Sequence, residues 1–151
     1  MAERVPRLAV GGDLGAIKAI VHAAYAPYIA RIGREPGPML DDYHALVRDG
    51  RVHVVEQGGV VRGLLVLREQ PDALLLDNVA VSPLAQGMGL GRILLAFAEA
   101  VARASGYQTI KLYTNEAMSE NRLLYARNGY IETHRAVERG LRRVFMTKKL
   151  D

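Results

Sequence analysis

Residues Gln86-Gly87-Met88-Gly89-Leu90-Gly91-Arg92 join a strand-like run, 74–81, to a run with helical periodicity, 93–105. The strand-like run is closed by Ser82-Pro83. Alternating glycines leave the backbone free to adopt dihedral angles that other residues avoid. Backbone amides at the start of a helix point outward and, together with the helix dipole, attract anions. The sequence therefore predicts a strand, a glycine-rich turn and a helix whose N-terminus binds phosphate.

Two common phosphate-binding motifs do not fit this spacing. The P-loop needs a Lys-Ser/Thr pair after its last glycine, and none is present. The dinucleotide fingerprint Gly-x-Gly-x-x-Gly needs a glycine where Arg92 or Leu94 stands. What remains is Gln-x-x-Gly-x-Gly, made by Gln86, Gly89 and Gly91 after a strand ending Val-x-Val-x-Pro. This pattern resembles the coenzyme A pyrophosphate loop of the GNAT superfamily of N-acetyltransferases; the alternative is a tight turn without a ligand.

A second motif lies downstream, at Asn121-x-x-x-Tyr125-x-x-x-Gly129-Tyr130. It resembles the GNAT segment in which an Asn and a Tyr face the pantetheine arm of the cofactor. Residues four apart share one face of a helix, so Asn121 and Tyr125 can act together. The resemblance implies that Tyr125 protonates the departing thiolate. The alternative is an aromatic residue that only packs in the core.

The resemblance implies a fold and a co-substrate. The fold is the GNAT-like α/β class (α+β mixed sheet), with a central mixed sheet flanked by about four helices. The co-substrate is acetyl-CoA, whose pantetheine arm would pair with main-chain groups of Val79 and Val81 in the gap between two splayed strands. The residues predicted to bind it are Val79, Ala80, Val81, Gln86, Gly87, Met88, Gly89, Leu90, Gly91, Arg92, Asn115, Asn121 and Tyr125.

Periodicity and turn signals predict one domain, 1–151, with the order strand, two helices, three strands, helix, strand, helix, two strands. Asp13 is predicted to cap the first helix, and Asp41 or Asp42 the second. The predicted strands are 4–10, 52–56, 60–68, 73–81, 109–114, 130–138 and 142–150. The predicted helices are 14–25, 41–48, 89–105 and 119–127. The inward stripe of the third helix is predicted to be Ile93, Phe97, Ala100, Val101 and Ala104.

Composition limits the classes of function. The 151 residues include no cysteine, which excludes disulfides, a thiol nucleophile and a cysteine metal site. The net charge of +4 favours an acidic ligand such as coenzyme A. Nucleic acid is the rival partner, but no zinc or helix-turn-helix spacing supports it. We therefore expect a cytoplasmic protein with no metal, no nucleic-acid partner and no membrane segment.

The general base is the weakest part of the resemblance. Many GNAT members carry a Glu on the strand before the loop, where this chain has Leu75 and Leu76. Asp77 is the nearest carboxylate and is predicted as the base, although strand alternation would turn it away from the substrate. The other candidates, left unranked, are His44, His53, Glu35, Glu116 and His134.

The acceptor site is expected between the first two helices and the late loops. We predict that Tyr28, Arg31 and Arg34 line it, and that the two arginines bind an acidic acceptor. The predicted reaction moves acetyl directly to a primary amine, with a small molecule as first choice and a protein amine second. A homodimer is left open. The alternative function is a non-catalytic coenzyme A-binding sensor or regulatory module.

Overall fold

A mixed sheet of seven strands organises the computed structural model, which describes residues 4–151. The strand order is β1-β2-β3-β4-β5-β7-β6, and only the β4–β5 pair is parallel. The predicted mixed sheet and parallel pair are therefore confirmed, while the first three residues of the predicted domain lie outside the described residues. The strands are β1 Arg7–Leu8, β2 Val52–Gln57, β3 Val60–Glu69, β4 Leu74–Val81, β5 Thr109–Asn115, β6 Ile131–Glu138 and β7 Leu141–Lys149.

In residues 4–151, five helices accompany the sheet, of which one is a single turn. They are α1 Leu14–Tyr25, α2 Ile29–Ile32, α3 Tyr43–Arg48, α4 Leu90–Ala104 and α5 Ser119–Arg127. Short 3₁₀ turns cover Gly11–Asp13, Ala26–Tyr28, Gly37–Leu40 and Pro83–Ala85. Within residues 4–151, no helix combines the length and the apolar character that a membrane crossing requires.

Each face of the sheet is covered by its own apolar cluster. Leu65 of β3 packs in the cluster that contains Leu94 of α4, on one face. Leu64, the preceding residue, packs with Ile17 of α1 on the opposite face. Since successive strand residues point to opposite faces, a strand covered on both sides is apolar throughout. This explains the unbroken run Leu64–Leu67 in β3.

The predicted inward stripe of α4 is right only in part, because Ile93, Phe97 and Val101 pack against the core cluster and the two alanines do not. Ala100 and Ala104 are exposed, and Ile93, Phe97 and Val101 are only partly buried. The buried residues are Leu90, Leu94, Leu95, Ala98 and Ala102. Both sets have helical spacing, so periodicity alone does not choose between them. The two alanines of the buried stripe let this part of the helix pack closely on the sheet, and the predicted residues Ile93, Phe97 and Val101 lie beside the stripe.

Two predicted helix starts have different outcomes. Asp13 does not cap α1 with its side chain; its carboxylate accepts from the Val10 amide at 2.9 Å and pairs with Arg7 at 2.9 Å. Asp42 does cap the second predicted helix, because its Oδ1 accepts from the amide of Ala45 at 3.1 Å. The first strand is also shorter than predicted and covers two residues.

The parallel strands β4 and β5 pair over three residues and then separate. The last pair is Leu76 with Leu112. The β3 ladder shifts at the same level, because Val66 opposes Asn78 while its neighbour Leu67 opposes Leu76. Asp77 is therefore the extra residue of a β-bulge, a device that bends a strand and redirects a side chain. The result is a V-shaped opening between β4 and β5.

Candidate active site

A groove of about 600 Å³ runs from the opening in the sheet to the N-terminus of α4. One wall is the end of β4 with the loop 86–92, and the other is α5. Gly89 lies at the junction of loop and helix with a φ of 79°, a left-handed conformation that favours glycine. The chain therefore reaches α4 with bare backbone facing the groove.

The first turn of α4 has unused hydrogen-bond donors. The first amide to bond within the helix is that of Ile93, which donates to the Gly89 carbonyl at 3.1 Å. The preceding amides, of Leu90, Gly91 and Arg92, have no such acceptor within the helix. These residues line the groove, and the helix dipole favours an anion there. A pyrophosphate fits this donor set without a lysine.

Most of the residues predicted to bind the cofactor lie on this groove. Val79, Ala80, Val81, Gln86, Gly87, Gly89, Leu90, Gly91, Arg92 and Asn121 line it. Met88 does not: its sulfur accepts from Gln57 Nε2 at 3.3 Å, and its carbonyl accepts from Arg4. Asn115 and Tyr125 instead line a neighbouring cavity.

Main-chain groups at the end of β4 face the opening. The Ser82 amide donates to the Arg62 carbonyl on β3 at 2.7 Å. Since residues of an antiparallel ladder turn their main-chain groups to alternate sides, those of Val79 and Val81 point toward the side that β5 has left. The single proton of the Tyr25 hydroxyl is shared between the Asn78 Oδ1 and the Val79 carbonyl, the latter at 3.0 Å, and the amides of both valines remain for a ligand.

A second cavity, of about 300 Å³, lies on the other side of the opening. It shares Tyr25 and Asn121 with the groove, so the two spaces meet at these side chains. Its walls come from β4, β5, α5, the segment 34–41 and the β6–β7 turn. A molecule bound there would face a thioester that enters through the groove.

Buried polar side chains fix the shape of this junction. Asn78 accepts from the Tyr25 hydroxyl and donates to the Tyr43 hydroxyl at 2.9 Å. Tyr43 in turn donates to the Pro38 carbonyl at 2.5 Å. The network therefore ties α1, β4, α3 and a wall of the cavity together. Sequence reasoning missed it because these residues are far apart in the chain and match the helix and strand patterns as ordinary core positions.

Tyr125 lines the second cavity from α5, one turn after Asn121. It is buried, and its ring meets that of Tyr130 edge to face with centroids 6.0 Å apart. Burial is the main cause that raises the pKa of Tyr125, and nearby Tyr28 raises it further. The phenol therefore stays protonated at neutral pH, as a proton donor must. The same burial would favour the neutral thiol of a departing coenzyme A over its thiolate.

Asp77 also lines the second cavity, and the prediction that alternation turns it away is wrong. The β-bulge redirects its carboxylate, which accepts from Arg68 Nε at 2.7 Å and from the Tyr113 hydroxyl at 3.1 Å. None of the other predicted base candidates lies among the residues that line this cavity. His134 stacks on Phe145, and His53 packs against Phe97. His44 and Glu35 are exposed, and Glu116 pairs with Arg142 at 3.4 Å.

The three predicted acceptor residues separate in the structure. Arg34 lines the second cavity, whereas Tyr28 lines the cofactor groove. Arg31 lines neither: its guanidinium pairs with Glu120 at 2.8 Å and lies over the Tyr28 ring. Proximity in sequence suggested a common site, but the left-handed turn at Gly33, with a φ of 86°, separates the two arginines.

A comparison with protein families shows which family the chain belongs to. A sequence model described as the acetyltransferase (GNAT) family matches residues 17–130. The chain belongs to the acetyltransferase (GNAT) family. It is thus an enzyme of acetyl-CoA-dependent acetylation. A comparison with curated proteins finds no match.

Solved structures of other GNAT-fold proteins superpose over almost the whole chain. The ribosomal-protein-S18-alanine N-acetyltransferase of Escherichia coli is 18% identical with a TM-score of 0.76, covering 99% of this chain and 95% of that one. The protein yncA of Salmonella typhimurium, solved with acetyl-CoA, is 24% identical with a TM-score of 0.73, covering 99% and 95%. The N-acetylglutamate synthase of Neisseria gonorrhoeae, solved with coenzyme A and N-acetyl-glutamate, is 20% identical with a TM-score of 0.77; the match covers 100% of this chain but 36% of that one. At these identities the likeness shows the GNAT fold.

Asp41 is a second carboxylate in the cavity of about 300 Å³. Burial is the main cause that raises its pKa, the nearby Asp77 raises it further, and Arg68 lowers it. The folded protein then keeps this proton to higher pH than the unfolded chain, so its stability falls as pH rises through that window. At neutral pH the ionised Asp41 therefore costs stability.

We expect Asp41→Asn to raise the free energy of unfolding at neutral pH, because the substitution removes a charge that burial disfavours. The gain should shrink at acidic pH, below the ordinary aspartate range, where wild-type Asp41 is neutral in both states. Urea unfolding at the two pH values measures the difference. Asp49→Asn, on an exposed carboxylate, is the control. An unchanged stability at neutral pH would contradict the expectation.

Proposed function

We propose that this chain transfers acetyl from acetyl-CoA to a primary amine by direct attack within a ternary complex. The observation that carries the proposal is the meeting of two spaces at Tyr25 and Asn121. One space has main-chain donors suited to pyrophosphate, and the other carries carboxylates and Tyr125. A small-molecule amine is preferred to a protein amine, because the acceptor cavity holds about 300 Å³, the size of a small-ligand site.

Each side chain at the junction has a task in this scheme. Acetyl-CoA supplies an activated acetyl group as a thioester. The amide of Val79 donates a hydrogen bond to the thioester oxygen, where negative charge develops during attack. Tyr125 donates its proton to the sulfur as the carbon–sulfur bond breaks. Because the chain has no cysteine, the acetyl group passes to the amine without a thioester-linked enzyme.

The amine must lose protons to become a nucleophile and then an amide. An alkylammonium has a pKa of about 10.4, so only about one molecule in a thousand is neutral near pH 7. Asp77 attracts the ammonium and accepts its proton, directly or through water, with Asp41 lining the same cavity. We place the reaction in the cytoplasm. The chain has no cysteine and forms no disulfide, which is typical of proteins in that compartment.

A panel of primary amines tests the proposal. Each amine is incubated with the protein and acetyl-CoA while release of free thiol is followed. We expect thiol release that saturates with at least one small amine and yields the N-acetyl product by mass spectrometry. If acetyl-CoA binds but no amine increases thiol release over the background rate, the transferase proposal fails and a non-catalytic coenzyme A-binding role gains support.

A further inference from the structure

Two arginines line the acceptor cavity without a carboxylate partner. They are Arg34, after α2, and Arg139, in the β6–β7 turn. Neither forms an ion pair within the described residues 4–151, in contrast to their neighbours: Arg142 pairs with Glu116 at 3.4 Å and Arg143 with Glu138 at 3.1 Å. The cavity rim therefore carries two positive charges that the protein itself does not neutralise.

Arg139 occupies a position that its backbone disfavours. The two-residue turn between β6 and β7 has a φ of 52° at Arg139 and 78° at Gly140. Hairpin turns with positive φ at both residues favour Asn, Asp or Gly at the first position. Among residues 4–151, Arg139 is the sole non-glycine residue with positive φ. The backbone conformation of the turn therefore does not explain an arginine at this position, and this points to a role for its side chain.

Arg34 approaches the same turn. Its Nη1 lies 3.2 Å from the point where a Cβ on Gly140 would stand. The glycine thus leaves room for the Arg34 guanidinium at the turn that carries Arg139. Two positive charges on one cavity rim repel each other, and a bound anion would relieve this repulsion. A carboxylate or phosphorus oxyanion accepts hydrogen bonds from two guanidinium groups in a suitable geometry.

The opposite wall of the cavity carries two carboxylates, Asp77 and Asp41; one arginine, Arg68, pairs with Asp77 at 2.7 Å, so the wall keeps an excess of negative charge. Asp77 lies on β4, and its partner Tyr113 on β5 has its ring beneath the guanidinium of Arg143 on β7, at 4.3 Å. The wall therefore runs from carboxylate to tyrosine to arginine across three neighbouring strands. Because β4 and β5 have already separated at this level, the main chains at Asp77 and Arg143 lie at least two interstrand spacings, about 10 Å, apart. The acidic side is the one next to Val79, where acetyl transfer would occur.

We propose that the acceptor is a small primary amine that also carries an anionic group, with its ammonium facing Asp77 and its anion held by Arg34 and Arg139. This inference rests on the proposed amine acetylation and specifies its substrate class. Carboxylate and phosphonate share the required chemistry. The separation of the charged walls favours an anion several bonds away from the amine.

Matched pairs of amines test the charge requirement. The panel contains γ-aminobutyrate and its uncharged counterpart n-propylamine, with aminoethylphosphonate as the phosphorus arm. We expect kcat/KM to be at least about tenfold higher for the anionic member, because the free energy of one hydrogen bond to a charged group corresponds to a factor of this size. The carboxylate and phosphonate arms show which anion is preferred. If n-propylamine matches or exceeds both anionic amines, the inference is overturned.

Variants of the two arginines locate the anion. Arg139→Asn suits the turn and should preserve folding, while Arg34→Gln removes the second charge. Each should raise KM for γ-aminobutyrate at least about tenfold and leave KM for n-propylamine and the affinity for acetyl-CoA unchanged. Arg142→Gln, on a neighbouring arginine outside the cavity lining, is the matched control and should change neither KM.

Three outcomes overturn three different claims. A preference for anionic amines that survives the Arg34→Gln, Arg139→Asn double variant overturns the assignment of these arginines. Thiol release with neutral amines alone overturns the substrate class but leaves amine acetylation standing. The absence of thiol release with every amine overturns amine acetylation itself.

Discussion

Tyr125→Phe should lower the rate of acetyl transfer by about 10²–10⁴-fold, the usual contribution of a positioned proton donor. The substitution removes one hydroxyl and keeps the buried ring. Because Tyr125 lines the acceptor cavity and not the pyrophosphate end of the groove, the affinity for acetyl-CoA should not change. Single-turnover measurement of thiol release isolates the chemical step from product release, and calorimetry gives the affinity.

Tyr130→Phe is the matched control. Tyr130 is buried and packs edge to face against Tyr125, but its hydroxyl is buried without a hydrogen-bond partner. It is also absent from the lining of the cavity and the groove. Removal of this hydroxyl should therefore leave the rate within a few-fold of wild type and preserve or raise stability, since a buried unpaired polar group is costly. A Tyr125→Phe rate equal to that of Tyr130→Phe would exclude Tyr125 as the acid.

The acid is also expected to work over a wide pH range. Burial raises the pKa of Tyr125 above its ordinary value of 10.0. Loss of the acid through ionisation should therefore not limit the rate at mildly alkaline pH. A decline at mildly alkaline pH that disappears in Tyr125→Phe would contradict the raised pKa of Tyr125.

The residues that line the groove were predictable from sequence because their determinants are local. Loop 86–92, the strand before it and the helix after it are contiguous, and ten of the thirteen predicted residues line the groove. The order of the longer elements is confirmed for the same reason. Hydrophobic runs, glycine turns and the spacing of Asn121 and Tyr125 each act within a few residues of the chain.

The acceptor side was not readable, because its residues come together only in the tertiary structure. Asp41, Asp77 and Arg139 belong to three distant segments. The orientation of Asp77 depends on a bulge, which arises when β3 and β4 pair with unequal numbers of residues between Leu76 and Asn78. Strand alternation therefore gave the wrong direction. The positive φ of Arg139 likewise has no counterpart in periodicity, although a hairpin with Arg139-Gly140 at its turn was visible.

Gly89→Ala should weaken acetyl-CoA binding by at least about 100-fold. Alanine in the left-handed conformation costs about 1–2 kcal/mol, so the loop relaxes toward a different entry into α4. The free amides of Leu90, Gly91 and Arg92 then no longer converge on one anion. Each hydrogen bond to a charged group contributes about 1.5–3 kcal/mol, and the loss of two corresponds to about 100-fold or more in Kd.

Gly106→Ala separates this effect from general destabilisation. Gly106 follows the other end of α4 with a φ of 83°, close to the 79° of Gly89, and a Cβ would meet no atom within 4 Å. Both variants should therefore lose a similar free energy of unfolding in urea, while only Gly89→Ala loses affinity in calorimetry. Equal affinities of the two variants would mean that the backbone at the head of α4 does not hold the pyrophosphate. In that case the Gln-x-x-Gly-x-Gly turn would serve only the packing of strand and helix.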